Sequence, residues 1–322
     1  MTKERVTKTG FGYVSTRDAY GLALREIGRE HPDVYVVTAD CLGSVRAVLF
    51  GEEFPERTIN FGIAEANMVG AAAGLALEGK IPFISGFSML MSMRACEQIR
   101  TSIAYPNLNV KIVGTHSGLS MGGGGSTHHS TEDIAIMRSM ANMTVIAPAD
   151  GCETAKAAQA CIDWEGPVYM RLGRAFEATV CDFEYDFQIG RALTMREGDD
   201  MTIIACGSVV HLALQASDQL YQKGISARVL NMHTVKPIDI PAVIRATEET
   251  AGIVTVEEHN VLGGLGGAVA EVVAELNPTR VVRIGVPDVY AGTGMTDQLR
   301  EKLGITPEAI AQAATKIMDG RR

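Results

Sequence analysis

Several features are scarce or missing in this 322-residue chain, and each absence closes off a class of function. There is no excess of positive charge for a polyanion. The formal net charge of −9 argues against nucleic acid or an anionic membrane surface as a partner, so any anion site must be local. Neither a secretory signal nor a long apolar span is visible, and the six cysteines (Cys41, Cys96, Cys152, Cys161, Cys181, Cys206) are scattered without paired spacing. The cytoplasm is the expected compartment. Short-period repeats are absent, and the low-complexity content is confined to Gly122-Gly-Gly-Gly125.

What is present suits a two-domain globular protein, because 46% hydrophobic content over this length can bury substantial cores. Residues 32–38, 81–84, 109–114, 143–147 and 167–171 read as strands separated by helix-length segments, with Ser15 or Thr16 capping the first helix. Such alternation implies an α/β fold with a mostly parallel sheet covered on both faces. Residues 178–190 break the helical pattern and read as a linker. Beyond them, residues 201–206, 227–231, 252–256 and 281–284 read as strands of a second, smaller α/β domain. The expected spans are 1–180 and 190–322, both doubly wound.

The most informative stretch is Asn60-Phe-Gly-Ile-Ala-Glu65-Ala-Asn-Met68, which runs directly into a small-residue segment over 69–78. One carboxylate stands there among apolar and tiny residues at a strand-to-helix junction. Glu65 is therefore expected to be poorly solvated, as a proton relay requires. The other reading of the same residue is a helix-cap carboxylate favoured by the helix dipole.

A second stretch, residues 114–133, holds four consecutive glycines flanked by His116, His128 and His129. Glycines tolerate φ > 0 and bring backbone N–H groups close to a ligand, while imidazoles titrate near working pH. Ser130 or Thr131, with Glu132 and Asp133, is expected to cap the next helix. A flexible surface loop with incidental histidines is the alternative, and for His116 alone a satisfied buried histidine. Adjacent histidines point in different directions and lack the four-residue spacing of a helical zinc motif, so no metal is assigned here.

Taken in order, Thr-Arg17, Ala-Asp40, Gly-Ile-Ala-Glu65, Glu-Gln98-Ile-Arg100, Thr-His116, Thr-His128 and Pro-Ala-Asp150 are specific as a set. On these residues the chain resembles the C-terminal half (β subunit) of a split transketolase, a thiamine-diphosphate-dependent family. The resemblance covers a pyrimidine-binding domain over roughly residues 10–180 and a C-terminal domain carrying Glu257-Glu-His-Asn-Val-Leu-Gly-Gly-Leu-Gly-Gly267.

That resemblance implies thiamine diphosphate as cofactor and transfer of a two-carbon ketol group from a ketose phosphate to an aldose acceptor. It places Glu65 at the cofactor's aminopyrimidine, with Asp40, Phe87, Leu90 and Met93 as further cofactor contacts. His128 and His116 become the catalytic imidazoles, and Arg17, Ser44, His116 and Arg174 the holders of the substrate phosphate. Taken singly, each arginine reads better as a surface ion pair, and Arg100 and Arg171 stay unassigned. Some positions depart from the family pattern. Leu90 and Met93 stand where aromatic residues are usual, His129 where Gln is usual, and Gly124 where an acidic residue reads a donor hydroxyl, which implies an altered donor preference.

The family's diphosphate-binding motif, Gly-Asp-Gly with a downstream Asn, is missing; Gly198-Asp-Asp200 is the nearest approach. The resemblance therefore implies a partner chain, the N-terminal half, that binds the diphosphate through Mg²⁺ or Ca²⁺, with composite active sites in an α2β2 heterotetramer. The small residues from Gly70 to Gly74 would allow close helix approach at that interface, or simply pack helix on sheet. Two other readings remain open: the β chain of a thiamine-dependent 2-oxoacid dehydrogenase, and a non-catalytic paralogue of the same fold.

Overall fold

The computed structural model describes residues 13–319. The outermost ends of the two expected domain spans, residues 1–12 and 320–322, lie outside the described residues. Strands β1 (Tyr13–Val14), β2 (Val34–Thr38), β3 (Thr58–Asn60), β4 (Ile81–Phe87), β5 (Lys111–Thr115), β6 (Thr144–Ile146), β7 (Val168–Arg171) and β8 (Glu177–Ala178) come first. They are followed by β9 (Leu193–Arg196), β10 (Met201–Ala205), β11 (Ala227–Asn231), β12 (Thr234–Lys236), β13 (Ile253–Asn260) and β14 (Val281–Val286).

Two α/β units result. A seven-stranded sheet has the order β12-β6-β7-β5-β4-β2-β3, and a five-stranded sheet the order β14-β13-β10-β11-β9. Within these two sheets every neighbouring pair is parallel except β12 on β6 and β9 on β11, while β1 and β8 form a separate antiparallel pair. Helices cover both faces of such sheets, which is why the inner strands read as unbroken apolar runs. One apolar cluster, built on Tyr20, Leu24, Phe50, Phe83 and Val113, lies on one face of the large sheet. A second runs from Met68, Ile84 and Ile112 through to Ile204, Met232, Val243 and Val269, so one continuous hydrophobic layer joins the two units.

Local chemistry sets several helix starts. Ser15 caps the helix Thr16–Glu30 by accepting from the Asp18 N–H, as the sequence predicts. Asp150 and Asp239 do the same for Gly151–Asp163 and Ile240–Glu249. The expected cap at Ser130 or Thr131 does not form. Glu132 occupies the cap position of Asp133–Ser139 without a side-chain cap bond. Asp133 is instead drawn inward, taking hydrogen bonds from Arg171 Nε at 2.9 Å and the Tyr169 hydroxyl at 2.8 Å. A fully buried carboxylate beside a guanidinium gains more from that pair than from a free N–H at a helix end.

The expected linker is also more than a spacer. Val180 and Cys181 donate their N–H groups to Asp150, and the Tyr185 hydroxyl bonds Glu153, whose carboxyl also receives Asn231 Nδ2 at 2.8 Å. The segment is thereby strapped to the helix Gly151–Asp163, and the 3.8 Å contact of Asn231 Nδ2 with Cys181 Sγ ties it to β11.

Two expectations follow. Arg171→Leu would strand Asp133 without its charge partner, at a cost of roughly 3–5 kcal/mol, measurable as a lowered denaturation midpoint; an unchanged midpoint would contradict the pairing. The second concerns pH. Burial pulls His233 and His259 down to about 4, whereas it pushes Glu153 and Glu257 up to about 7. The histidines take protons near pH 6.5 only when unfolded, so their contribution to stability is lost as pH falls. The two glutamic acids take protons first in the folded chain, so theirs grows from pH 7 down to about 4.5. The thermal midpoint should therefore stay nearly level from about pH 6.5 to 4.5 and drop below that, where only the histidine difference remains. A midpoint that rises steadily from pH 6.5 down to 4.5 would show that the folded chain holds these imidazoles charged.

Candidate functional site

The carboxyl ends of β2 and β4 open onto a cavity of about 440 Å³, the place where parallel α/β sheets leave a crevice for ligands. Ala39, Asp40, Cys41 and Ser44 form one wall, Ile63 and Glu65 another, and Gly86, Phe87 and Leu90 a third, with Arg94, Thr127 and His128 around the rim. Cys41 is half-buried here. Its thiol contacts Thr38 Oγ1 at 3.2 Å and burial pushes its pKa up, which favours the neutral thiol.

Glu65 is the first residue of the helix Glu65–Leu77 and is only 3% exposed, as its setting in the sequence suggests. It does not cap its helix. The cap position belongs to Ala64, and both Glu65 carboxylate oxygens lie 3.3–3.4 Å from Arg94 Nη1. Arg94 was not anticipated from the sequence. The available signal was its place as the lone charge in an apolar run from Met89 to Cys96. Residues Leu90–Arg94 form a π-helical stretch, whose wider turn rotates alternate side chains away from α-helical positions. Leu90 faces the cavity, whereas Met93 is 45% exposed and outside the lining. Met93 does not line this cavity, and the same turn brings Arg94 to Glu65.

His116 closes a chain of polar contacts at the end of β5. Its backbone is in the left-handed region (φ +60°) and its ring is buried. Arg17 Nη1 lies 3.1 Å from Nε2, and a guanidinium only donates, so Nε2 accepts and the proton sits on Nδ1. Nδ1 then donates to Thr115 Oγ1 at 2.9 Å, and that hydroxyl donates to the Gly86 carbonyl at 3.1 Å. The imidazole is neutral. Burial, and then the charges of Arg17, Arg174 and His128, lower its pKa to about 3. Its ring also rests against Phe87, with centroids 4.3 Å apart.

Arg17 Nη1 donates as well to the Ser44 carbonyl at 2.8 Å, so Arg17, Ser44 and His116 form one contact group beside the cavity. Arg174 does not line this cavity, but it lies near enough for its charge to act on Arg17 and His116. It is exposed, its guanidinium lies 3.7 Å from Met121 Sδ, and it lines a neighbouring cavity of about 420 Å³ with Ser120, Phe176 and Met295. Asp40 lines the main cavity at φ +56° with its N–H bonded to Asn60 Oδ1.

The glycine-rich loop is closed and pinned. Gly118 and Ser130 exchange backbone hydrogen bonds at 2.8 and 3.0 Å, and Ser126 Oγ accepts from the Gly292 N–H. His128 is exposed at the cavity rim with Nδ1 3.0 Å from Thr127 Oγ1. His129 turns inward toward the Gly122 carbonyl at 3.4 Å and does not line the cavity. A side chain at Gly124 would start 2.7 Å from Met121 Cγ, so Met121 occupies the space that an acidic residue there would need.

Comparison with known proteins agrees with this arrangement. Residues 12–176 match the transketolase pyrimidine binding domain and residues 190–310 the transketolase C-terminal domain. A 6-deoxy-6-sulfo-D-fructose transketolase subunit of Clostridium sp. is 41% identical, with 94% of each chain covered. One of the subunits of an apulose-4-phosphate transketolase from Phocaeicola vulgatus is 39% identical, covering 95% of this chain and 98% of that one. A solved structure of a split gene transketolase, an inactive beta4 tetramer, is 44% identical and superposes with a TM-score of 0.89 over 97% of this chain and all of the other. With both domains matched in order and subunit-length relatives aligned nearly end to end, the chain belongs to the transketolase family, as its C-terminal half.

Proposed function

We propose that this chain supplies the pyrimidine-binding and C-terminal domains, over residues 1–180 and 190–322, of a split, cytoplasmic transketolase. It moves a two-carbon ketol unit from a phosphorylated or otherwise anionic ketose to an aldose. The observation that carries the reading is the buried Glu65 carboxyl at the mouth of a helix, facing a cavity walled by Phe87 and Leu90. A flat heterocycle fits those walls, and a carboxyl at that place can exchange a proton with a ring nitrogen. When bound, thiamine diphosphate supplies the carbon nucleophile that takes up and releases the two-carbon unit.

Glu65 holds the ring-nitrogen proton, and Arg94, more than half exposed, yields one carboxylate oxygen to the incoming ring. Phe87 supplies the aromatic face, while Leu90 and Asp40 border the same pocket. His128, at the rim, is placed for proton transfer to substrate hydroxyls. His116, neutral and oriented by Thr115, works with Arg17, Ser44 and Arg174 as the anion-holding set. The diphosphate and its Mg²⁺ or Ca²⁺ are assigned to an N-terminal-half partner, in an α2β2 assembly. The inactive beta4 state of the 44% identical relative supports that requirement. The space filled by Met121 beside Gly124, and the sulfofructose and apulose phosphate transketolases among the relatives, support a donor other than the usual pentose phosphates. Nothing favours the 2-oxoacid dehydrogenase reading over this one.

Reconstitution with the partner chain, thiamine diphosphate and Mg²⁺, followed by a screen of anionic ketose donors, tests the proposal directly. Acceptor-dependent ketose formation is expected; oxoacid-dependent acetylation of lipoamide, or no cofactor binding at all, would reject it. In the active assembly Glu65→Gln should leave the complex intact and lower turnover roughly 10²–10⁴-fold, and full turnover would remove the assigned role. Replacing Arg17 by Met should raise the KM for an anionic donor roughly 10-fold or more with a smaller change in kcat, since a charge-assisted contact to substrate is lost. An equal KM for wild type and variant would exclude Arg17 from the anion site.

A further inference from the structure

We propose that Glu258, on strand β13 of the C-terminal domain, is a positioning residue for the histidine-bearing loop of the other domain; the roles of those histidines rest on the transketolase reading above. Its side chain is buried and bridges two groups. Oε1 accepts the Leu119 N–H at 2.8 Å, and Oε2 accepts from Arg300 Nε. Arg300 is itself buried and anchored by Glu177 at 2.8 Å and Ser208 at 3.0 Å, so the carboxyl cannot swing freely. The main chain of the same residue adds a third tie, as the Glu258 carbonyl accepts from Arg171 Nη2 at 2.9 Å.

The loop is shaped to receive this carboxyl. Gly118 adopts φ +58°, and a Cβ there would lie 2.4 Å from Glu258 Oε1, so only glycine lets the backbone settle so close. Leu119 is three residues beyond His116, and Gly118 is paired with Ser130, two residues beyond His128. One carboxylate from the C-terminal domain therefore fixes the point at which both histidine-bearing ends of the loop meet. A charge-assisted bond to a backbone N–H in a dry setting is strong enough to hold that register. This gives the C-terminal domain a part in substrate handling although Glu258 does not line the main cavity.

The test uses the assembled two-chain enzyme carrying Glu258→Ala, Glu258→Gln or Glu258→Asp, with donor KM, kcat, thiamine diphosphate affinity and amide exchange measured together. In Glu258→Ala the donor KM should rise roughly tenfold or more with a smaller change in kcat and unaltered cofactor affinity. Amide exchange over 117–130 should quicken by roughly tenfold or more while the helix Glu65–Leu77 stays protected. Glu258→Gln keeps an oxygen for the Leu119 N–H and should bring KM back to within about threefold of wild type. Unchanged KM and exchange in Glu258→Ala would overturn the proposal. So would a joint loss of cofactor affinity and of protection over 65–77, the mark of a purely structural residue. If the alanine variant does not accumulate, Glu258→Asp, too short to span both partners, decides by the same exchange pattern. Exchange needs no turnover. A wild-type assembly that transfers nothing would therefore reject the transketolase reading and still leave the Glu258 contact decided.

Discussion

The guanidinium of Arg171 is the contact on which the architecture turns. Buried at the end of β7, it meets Asp133 through Nε and the carbonyls of Ser130 and Glu258 through Nη2. Taking such a charge out of water costs several kcal/mol, which is offset only when all its acceptors are in place together. Those acceptors come from the glycine-rich loop, the helix after it and the second sheet. Partial assembly leaves the charge exposed to a dry environment without full compensation, so the three segments lock as one unit.

The site inherits its precision from that lock. The loop between the histidines is closed by the Gly118 and Ser130 pair, directly beside the Arg171 contacts. His116 then emerges in a left-handed backbone conformation that an isolated chain rarely adopts and that surrounding bonds must hold. With its tautomer set by Arg17 on one nitrogen and Thr115 on the other, and its pKa pulled down by burial and by neighbouring charges, the imidazole is held as an oriented neutral hydrogen-bonding group. The acid on the opposite wall differs in kind: among the described residues Glu65 pairs with Arg94, whose side chain is more than half exposed.

The strands most readily visible in the sequence were those buried on both faces. The apolar runs at 32–38, 109–114 and 167–171 fall on β2, β5 and β7 to within a few residues, because a doubly covered parallel strand must be apolar throughout. Strands β1, β3, β8, β9 and β12 are short and carry no such pattern, since they form at edges through pairing with distant partners. Glu65, Phe87, Asp40, Ser44, Leu90 and His128, named from a family resemblance, do converge on one cavity. Arg94 lines that cavity and Met93 does not, which the sequence did not indicate. The cause is a π-helical turn, a backbone choice that composition does not announce. Asp133 escaped as a cap for a related reason: its partner, Arg171, is 38 residues away in sequence and adjacent only in the folded chain.

Strand β12, which follows the first strands of the second sheet in sequence, crosses back to pair with β6 at the edge of the first. Lys236 at its end is held by the carbonyl of Arg138 at 3.0 Å. The polypeptide is thus threaded between its two halves, and a cut in the segment joining them would not release self-sufficient modules. The N-terminal fragment would carry a bare β6 edge, an open template for pairing with other chains.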